Sequence, residues 1–273
     1  SIVFFSCSTV SVQRTQRYGE GSRQTASIDL QAAIDSVLND SLLASCIIGV
    51  KITSPDDGTV LYEVNSEKLF HPASNMKLLT TATALVTLES DDILKTRCSS
   101  DGHISANILH GNVYVKGIGD PLLRTEHLDS IAQQLRQKGI RQIAGDIVGD
   151  VSYFDTLYWG LGWMWDDEPS TDAPFLTPLT INSNSIEVDV MPGKNIGDQT
   201  EVEIKPKTSY VNIINNAITS TDTMLPPLEV TRIRGQNTII ISGRIAPNSA
   251  MQDFGVSIWK PELYFLYLFR ERL

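Results

Sequence analysis

The pattern of apolar and polar residues changes along the chain. Over residues 27–88 this pattern predicts a segment that contains both helices and strands. Apolar residues recur at helical spacing over 27–43, which predicts an amphipathic helix. Two alternating runs follow at 47–53 and 59–64, and the Pro, Asp and Gly residues of 54–58 predict a hairpin turn between them. A second helix is predicted over 74–88, where Met, Leu and Ala supply the apolar content.

After residue 91 the pattern becomes one of short apolar runs separated by turn residues, which predicts a β-rich region. A helix is predicted at 126–138, ending at Gly139, and the run 211–218 is compatible with another helix. Residues 155–175 form a loop that is dense in Trp, Asp and Pro. A last helix is predicted at 261–273. The predicted strands are 93–98, 107–116, 143–151, 180–190, 200–204, 228–234 and 237–245.

This order of elements is typical of a parent domain that is split by an insertion. We therefore expect four segments along the chain. Residues 1–26 are a signal remnant and a flexible tether, and 27–90 are the first part of an α/β (α+β) domain. Residues 91–254 are a large β-rich insertion, and 255–273 return to the parent domain.

Composition and charge narrow the classes of partner. The chain has 273 residues, of which 41% are hydrophobic, so it can bury a sizeable core. Its formal net charge is −10, and an acidic protein lacks the basic surface that nucleic-acid binding requires. We therefore expect no nucleic-acid partner.

The metal-binding residue types are few and scattered. The three cysteines form no Cys-x-x-Cys pair, and the four histidines form no His-Glu-x-x-His motif, so we expect no metal and no cofactor. The spacing allows either a disulfide between Cys46 and Cys98 or two free thiols, and it does not decide between them.

The N-terminal residues predict export from the cytoplasm. Residues 2–8 are similar to the end of an apolar signal segment, and the following tract to Ser27 is rich in Ser, Thr, Gln and Arg. Together they resemble the end of a bacterial lipoprotein signal with Cys7 as the lipidated residue, which would attach the protein to a membrane. The alternative is an ordinary signal-peptide remnant without lipid. No run approaches the roughly 18 apolar residues of a membrane helix.

The candidate chemistry lies at Ser74 and Lys77. A serine hydroxyl needs a nearby base to become a nucleophile, and a neutral lysine amine can be that base. A spacing of three residues on a helix places both side chains on one face. The same spacing recurs at Ser257 and Lys260, but this copy follows an alternating run and precedes Pro261, so we interpret it as structural. The alternative for Ser74 is a plain helix-capping serine.

The chain resembles the class C low-molecular-mass penicillin-binding proteins, the D-alanyl-D-alanine carboxypeptidase/endopeptidase family. The matching segments follow the family order over roughly residues 45–265. They are Pro72-Ala73-Ser74-x-x-Lys77, the run 109–121 ending in Gly119-Asp120-Pro121, Gly139-Ile140, Gly145-Asp146, Gly162-Trp163-x-Trp165-Asp166-Asp167, Ala173-Pro174, Asn184 and Pro192-Gly193.

The resemblance implies a β-lactamase/transpeptidase-like catalytic domain with a large β-rich insertion, in a periplasmic or cell-surface enzyme. It implies that peptidoglycan stem peptides or β-lactam antibiotics acylate Ser74, with Lys77 as the base. It also implies that Asp167 binds the free amine of the stem peptide; the alternative is a solvated loop carboxylate. The competing functions are a non-catalytic or inactive fragment that keeps the peptidoglycan-binding fold, and an unrelated Ser-Lys hydrolase.

Two further motifs of such enzymes, Ser-x-Asn and Lys-Thr-Gly, have only poor counterparts in the chain. The run 105–107 is Ser-Ala-Asn within the insertion, and 207–209 is Lys-Thr-Ser, which follows Pro206 and lacks the Gly. We reject both and expect the true motifs beyond Leu273. The catalytic domain is then incomplete in this chain, its activity here is in doubt, and apolar surface should be exposed.

Overall fold

The computed structural model of the chain describes residues 2–5, 29–89 and 92–273, and for 2–5 it describes the backbone alone. The described residues fall into two compact units. Residues 29–89 with Asp92 form the first, which we call the hairpin–helix unit. Residues 93–273 together with 2–5 form the second, which we call the β-rich unit. The expected tether and Cys7 lie outside the described residues.

The hairpin–helix unit contains the elements that the N-terminal pattern predicts. Helix α1 (Leu30–Leu38) begins after Asp29, whose side chain accepts hydrogen bonds from the first-turn amides. Strands β2 (Val50–Thr53) and β3 (Val60–Val64) form an antiparallel hairpin, and helix α2 (Met76–Thr87) follows. The hairpin is tied to α1 because the Tyr62 hydroxyl donates to Asp35 at 2.6 Å.

Helix α2 exposes most of its apolar side chains. The exposed fractions of Leu78, Leu85 and Val86 are 71%, 79% and 85%, and no residue of α2 is buried in the part of the chain that the structure describes. An apolar helix face of this kind is normally covered by further protein. The exposed apolar surface expected from the sequence is therefore present in this unit.

The β-rich unit is built from small sheets rather than one large one. The largest has the order β1-β4-β7-β9, and two three-stranded sheets have the orders β11-β10-β17 and β12-β15-β14. A further sheet, β5-β6-β8, and the pair β13-β16 complete the unit. The strands are β1 (Ile2–Phe5), β4 (Arg97–Ser100), β5 (His103–Ser105), β6 (Ile108–His110), β7 (Val113–Lys116), β8 (Gln142–Ile143), β9 (Ile147–Asp150), β10 (Ser185–Met191), β11 (Glu201–Lys205), β12 (Asn212–Asn215), β13 (Ile218–Thr219), β14 (Glu229–Arg232), β15 (Thr238–Ser242), β16 (Arg244–Ile245) and β17 (Gln252–Ser257).

Two helices close the core of the β-rich unit. Helix α3 (Thr125–Gln137) buries Leu128, Ile131 and Leu135 at helical spacing. Helix α4 (Pro261–Arg272) begins with proline at its first position, which suits a helix start. Its buried side chains join the same hydrophobic cluster as α3 and the inner strands; they are Tyr264, Phe265, Leu268 and Phe269.

The C-terminal segment belongs to the β-rich unit, whereas the sequence pattern predicted that residues 255–273 are part of the parent domain. Strand β17 extends across the expected boundary at 254/255, and it pairs antiparallel with β10 over its whole length. Helix α4 then packs against α3 and β9. These residues therefore share the core of 93–273.

The run 211–218 forms strands, so the helix reading of this run is wrong. Strand β12 pairs in parallel with β15, and β13 pairs in parallel with β16. The side chain of Asn215, the last residue of β12, donates to the Thr200 carbonyl at 2.7 Å and accepts from the Ala217 amide at 3.1 Å. Asn hydrogen bonds of this kind and β-branched Ile side chains favour extended structure over a helix.

Cys46 and Cys98 are free thiols, so the disulfide that the spacing allowed is absent. Cys98 is buried in β4, with 2% of its surface exposed, whereas Cys46 is exposed. Burial raises the pKa of the Cys98 thiol to about 12.

We expect iodoacetamide to modify Cys46 in the native chain at pH 8 and to leave Cys98 unmodified. The reagent attacks thiolates, and Cys98 is both inaccessible and almost wholly protonated at this pH. Peptide mapping should show alkylation of Cys98 at least about 100-fold slower than that of Cys46, and equal rates after unfolding in guanidinium. Comparable rates in the native chain would contradict the burial of Cys98.

No helix among residues 29–89 and 92–273 is long and apolar enough to cross a membrane.

Candidate active site

Ser74 and Lys77 are brought together at the start of α2. Ser74 lies in a 3₁₀ turn, Ala73–Asn75, that leads directly into the helix, and Lys77 lies in the first helical turn. The Nζ atom of Lys77 donates a hydrogen bond to Oγ of Ser74 at 3.1 Å. The pair is therefore within the distance that a direct proton transfer requires.

The backbone before Ser74 has an uncommon conformation. Pro72 has φ −71°, and Ala73 then has φ +43°, in the left-handed region that non-glycine residues rarely adopt. Such a conformation costs on the order of 1–3 kcal/mol and is found most often at functional sites. The turn is fixed by a hydrogen bond from the Asn75 amide to the Pro72 carbonyl at 2.9 Å.

The second Ser-x-x-Lys copy has a different geometry. Ser257 ends strand β17 and is fully buried, and its Oγ has no hydrogen-bond partner among the described residues. Lys260 has φ +53° and lies just before α4, so the two residues do not share a helical turn. The arrangement supports a structural role for this copy.

The two rejected motif counterparts also take part in local structure. Ser105 ends β5, and Ala106 and Asn107 have positive φ in the turn that follows. Lys207 forms an ion pair with Glu203 at 3.4 Å. The Ser209 amide and hydroxyl both donate to the Glu271 carboxylate in α4, at 3.2 and 3.1 Å.

Asp167 lies in the β-rich unit, in a 3₁₀ turn formed by Trp165–Asp167. Its Oδ2 accepts a hydrogen bond from the Met164 amide at 2.7 Å, and its own amide donates to the Met164 carbonyl at 3.1 Å. The residue is half-buried rather than fully solvated. The carboxylate is therefore held by its own turn.

Three charged residues around this turn were not predicted from the sequence. Glu168 follows the turn directly, Arg232 contacts Glu168, and Arg234 contacts Trp165 within the turn. Glu168 pairs with the buried guanidinium of Arg232, and the Arg234 guanidinium lies 3.9 Å from the centre of the Trp165 ring. The burial of Arg232, which makes Glu168 its necessary partner, is visible only in the structure, so the sequence offered no signal for this pair.

The described residues contain no group of three His, Cys, Asp or Glu side chains arranged to hold a metal ion.

Comparison with known proteins identifies the family. The family model described as D-Ala-D-Ala carboxypeptidase 3 (S13) matches residues 30–273. The D-alanyl-D-alanine carboxypeptidase of Actinomadura sp. strain R39 is 29% identical over 259 residues, covering 93% of this chain and 47% of that protein. Penicillin-sensitive carboxypeptidase A of Dictyostelium discoideum is 28% identical, covering 88% of this chain and 51% of that protein.

A solved structure shares the fold. Penicillin-binding protein 4 (dacB) of Haemophilus influenzae superposes with a TM-score of 0.69 at 22% identity, covering 82% of this chain and 49% of that one. The predicted fold class, a penicillin-binding α+β fold with β-rich regions, is therefore confirmed. The chain spans about half the length of the curated relatives that we name. Because the family model covers nearly all of the chain, this protein belongs to the D-Ala-D-Ala carboxypeptidase 3 (S13) family.

Proposed function

We propose that Ser74 is the nucleophile of a serine-type D-Ala-D-Ala carboxypeptidase/endopeptidase that acts on peptidoglycan stem peptides, with Lys77 as its base. The observation that carries this proposal is the 3.1 Å contact between Lys77 Nζ and Ser74 Oγ at the start of α2. The names of the relatives support the same reaction class.

The proposed reaction has two steps. In the first, a neutral Lys77 amine takes the Ser74 proton while Oγ attacks the carbonyl carbon of the penultimate D-Ala. The C–N bond to the terminal D-Ala breaks, and the leaving amine takes the proton from Lys77. In the second step, Lys77 takes a proton from the water that attacks the ester, the C–O bond to Ser74 breaks, and Oγ takes that proton from Lys77.

A β-lactam would react at the same oxygen. Attack of Ser74 Oγ on the lactam carbonyl carbon breaks the C–N bond of the ring and leaves an ester on the serine, and the ring nitrogen takes the serine proton through Lys77. Penicillin-binding protein 4 of H. influenzae has been solved in complex with a β-lactam, which supports this expectation for a protein of the same fold.

Asp167 is proposed as the group that binds the free amine of the stem peptide. Its turn holds Oδ2 against the Met164 amide, whereas Oδ1 takes no part in that contact. A carboxylate held in this way forms a stronger hydrogen bond to an ammonium group than a mobile one does.

The domain roles and the location follow from the same proposal. The hairpin–helix unit is the first part of the catalytic domain, and the β-rich unit is the insertion. A reaction on peptidoglycan stem peptides requires a periplasmic or cell-surface protein. The lipid on Cys7 and the membrane attachment that it would provide stay a prediction, which mass spectrometry of the membrane fraction tests.

We expect Lys77→Ala to lower the release of D-Ala from a peptide ending in D-Ala-D-Ala by about 10²–10⁴-fold, because the serine then lacks its base. The measurement is the rate of D-Ala release by the full-length gene product. Lys68→Ala is the matched control, since Lys68 is an exposed lysine of the same unit. Unchanged release with Lys77→Ala would contradict the proposal, and no release by the unaltered protein would favour the non-catalytic reading.

A further inference from the structure

The loop that carries Asp167 is held by two arginines from one short stretch of chain. Arg232 is the last residue of β14, and Arg234 lies in the turn that follows it. Arg232 contacts the loop at Glu168, and Arg234 contacts it at Trp165. The two contacts flank Asp167 on both sides, so we treat residues 165–168 as one unit, the 165–168 loop.

The contact at Arg232 is a buried ion pair. The Arg232 side chain is fully buried and that of Glu168 is 9% exposed, and Nη2 of the arginine donates to Oε1 of the glutamate. Burial lowers the pKa of Arg232, and the Glu168 carboxylate opposes that effect. A charge that is buried in this way requires its partner, because burial removes the solvation that bulk water would give it.

The remaining donors of Arg232 fix its position. Nε donates to the Ser257 carbonyl of β17 at 2.8 Å, and Nη1 donates to the Gln236 carbonyl at 2.6 Å and to the Ile233 carbonyl at 3.1 Å. The guanidinium is planar, so hydrogen bonds on these sides leave it one orientation. The direction in which Nη2 points at Glu168 is therefore fixed by β17 and by the turn after β14, and not by the 165–168 loop.

The contact at Arg234 differs because it lies at the surface. Trp165 is 67% exposed, and the guanidinium carbon of Arg234 lies 3.9 Å from the centre of its ring. A cation over the face of a Trp ring is attracted by the ring quadrupole. A third attachment follows the loop, where the Ser257 amide donates to the Pro169 carbonyl at 2.9 Å.

We propose that Arg232 and Arg234 are positioning residues that hold the 165–168 loop, so that the Asp167 carboxylate is presented to the free amine of the substrate. The inference rests on the proposed function, since it gives Asp167 the role of an amine-binding group. Neither arginine touches the substrate; both act through the loop. Loss of either contact should weaken recognition of the amine and leave the chemistry at Ser74 unchanged.

The test compares two peptides that end in D-Ala-D-Ala and differ only in whether the side-chain amine is free or acetylated. In Arg234→Gln we expect KM for the free-amine peptide to rise about tenfold, with kcat unchanged and KM for the acetylated peptide unchanged. Glu168→Gln should also raise KM for the free-amine peptide alone. The rise should be larger than in Arg234→Gln, since the substitution leaves the buried Arg232 cation without its counter-charge. Arg234 is exposed, so its variant should fold.

Arg270→Gln is the matched control, because the exposed Arg270 guanidinium lies 5.0 Å from the Tyr267 ring in α4, away from the loop. It should change neither KM. If Arg234→Gln raises KM for both peptides equally, or for neither, the positioning role is overturned.

Amide hydrogen exchange separates this inference from the proposed function. The Asp167 and Ser170 amides donate to the Met164 and Asp167 carbonyls at 3.1 and 2.8 Å. We expect both to exchange at least about tenfold faster in Arg234→Gln than in Arg270→Gln. Unchanged exchange overturns the positioning role of the arginines, even if the enzyme is active. If exchange is faster but the protein hydrolyses neither peptide, the arginines hold the loop and the proposed function is wrong.

Discussion

Ser74→Ala is expected to abolish covalent labelling of the full-length gene product by a fluorescent penicillin. It should also lower D-Ala release by at least about 10⁴-fold, because removal of a serine nucleophile leaves only substrate binding and oxyanion stabilisation. Ser74 Oγ is the atom that Lys77 contacts at 3.1 Å, and alanine offers nothing in its place. In-gel fluorescence and the D-Ala release assay measure the two effects.

Ser257→Ala is the matched control, since it alters the second Ser-x-x-Lys copy. Ser257 is buried and its hydroxyl has no hydrogen-bond partner among the described residues, so its loss should change neither labelling nor folding. Labelling that persists in Ser74→Ala and vanishes in Ser257→Ala would place the nucleophile in β17 and would contradict the account.

Phe265→Ala is expected to destabilise the chain by about 3–5 kcal/mol, the usual range for removing a buried phenylalanine from a core. Phe265 is fully buried in α4, within the cluster that also holds Leu128 and Leu135 of α3. The loss combines the transfer of the ring to water with the cavity that remains. Urea denaturation monitored by circular dichroism measures the free energy of unfolding.

Leu263→Ala provides the comparison within the same helix, because Leu263 is 44% exposed. We expect it to cost clearly less than Phe265→Ala, about 1 kcal/mol or below, since its side chain is only partly removed from water. Equal effects of the two substitutions would mean that α4 is not packed on the core of 93–273. Residues 255–273 could then return to the parent domain, as the sequence pattern suggests.

Local patterns predicted most helices and the contact between Ser74 and Lys77. Helices α3 and α4 follow from apolar spacing with a Gly or Pro signal at one end, and the β2–β3 hairpin follows from alternation around a Pro-Asp-Asp-Gly turn. The Ser74–Lys77 contact follows from helical spacing alone, because both atoms lie within one turn of the chain. Contacts of short range are encoded in short stretches of sequence.

Elements that depend on distant partners were not predictable in the same way. The run 211–218 carries Ile and Asn at spacings that suit either a helix or a strand, and its pairing with β15 decided for the strand. The apolar residues of α4 predict that the helix is buried, but not which core buries it. Packing against α3, more than 120 residues earlier, settled that question.

The candidate site shows the same division. Asp167 was found through the family resemblance, whereas its support by Arg232 and Glu168 joins residues 64 positions apart. From the sequence alone, an arginine within an alternating strand is expected to face solvent, because the sequence does not show what covers that face of the strand. The structure shows that this face is covered by the loop, which turns Arg232 into a buried partner of Glu168.

Mass spectrometry of the full-length gene product after incubation with benzylpenicillin shows whether Ser74 forms the acyl-enzyme. We expect a peptide containing residues 72–77 that carries the mass of one whole penicillin, with fragment ions that assign the addition to Ser74. An unmodified Ser74 at saturating penicillin, or an addition on another residue such as Ser257, would contradict it.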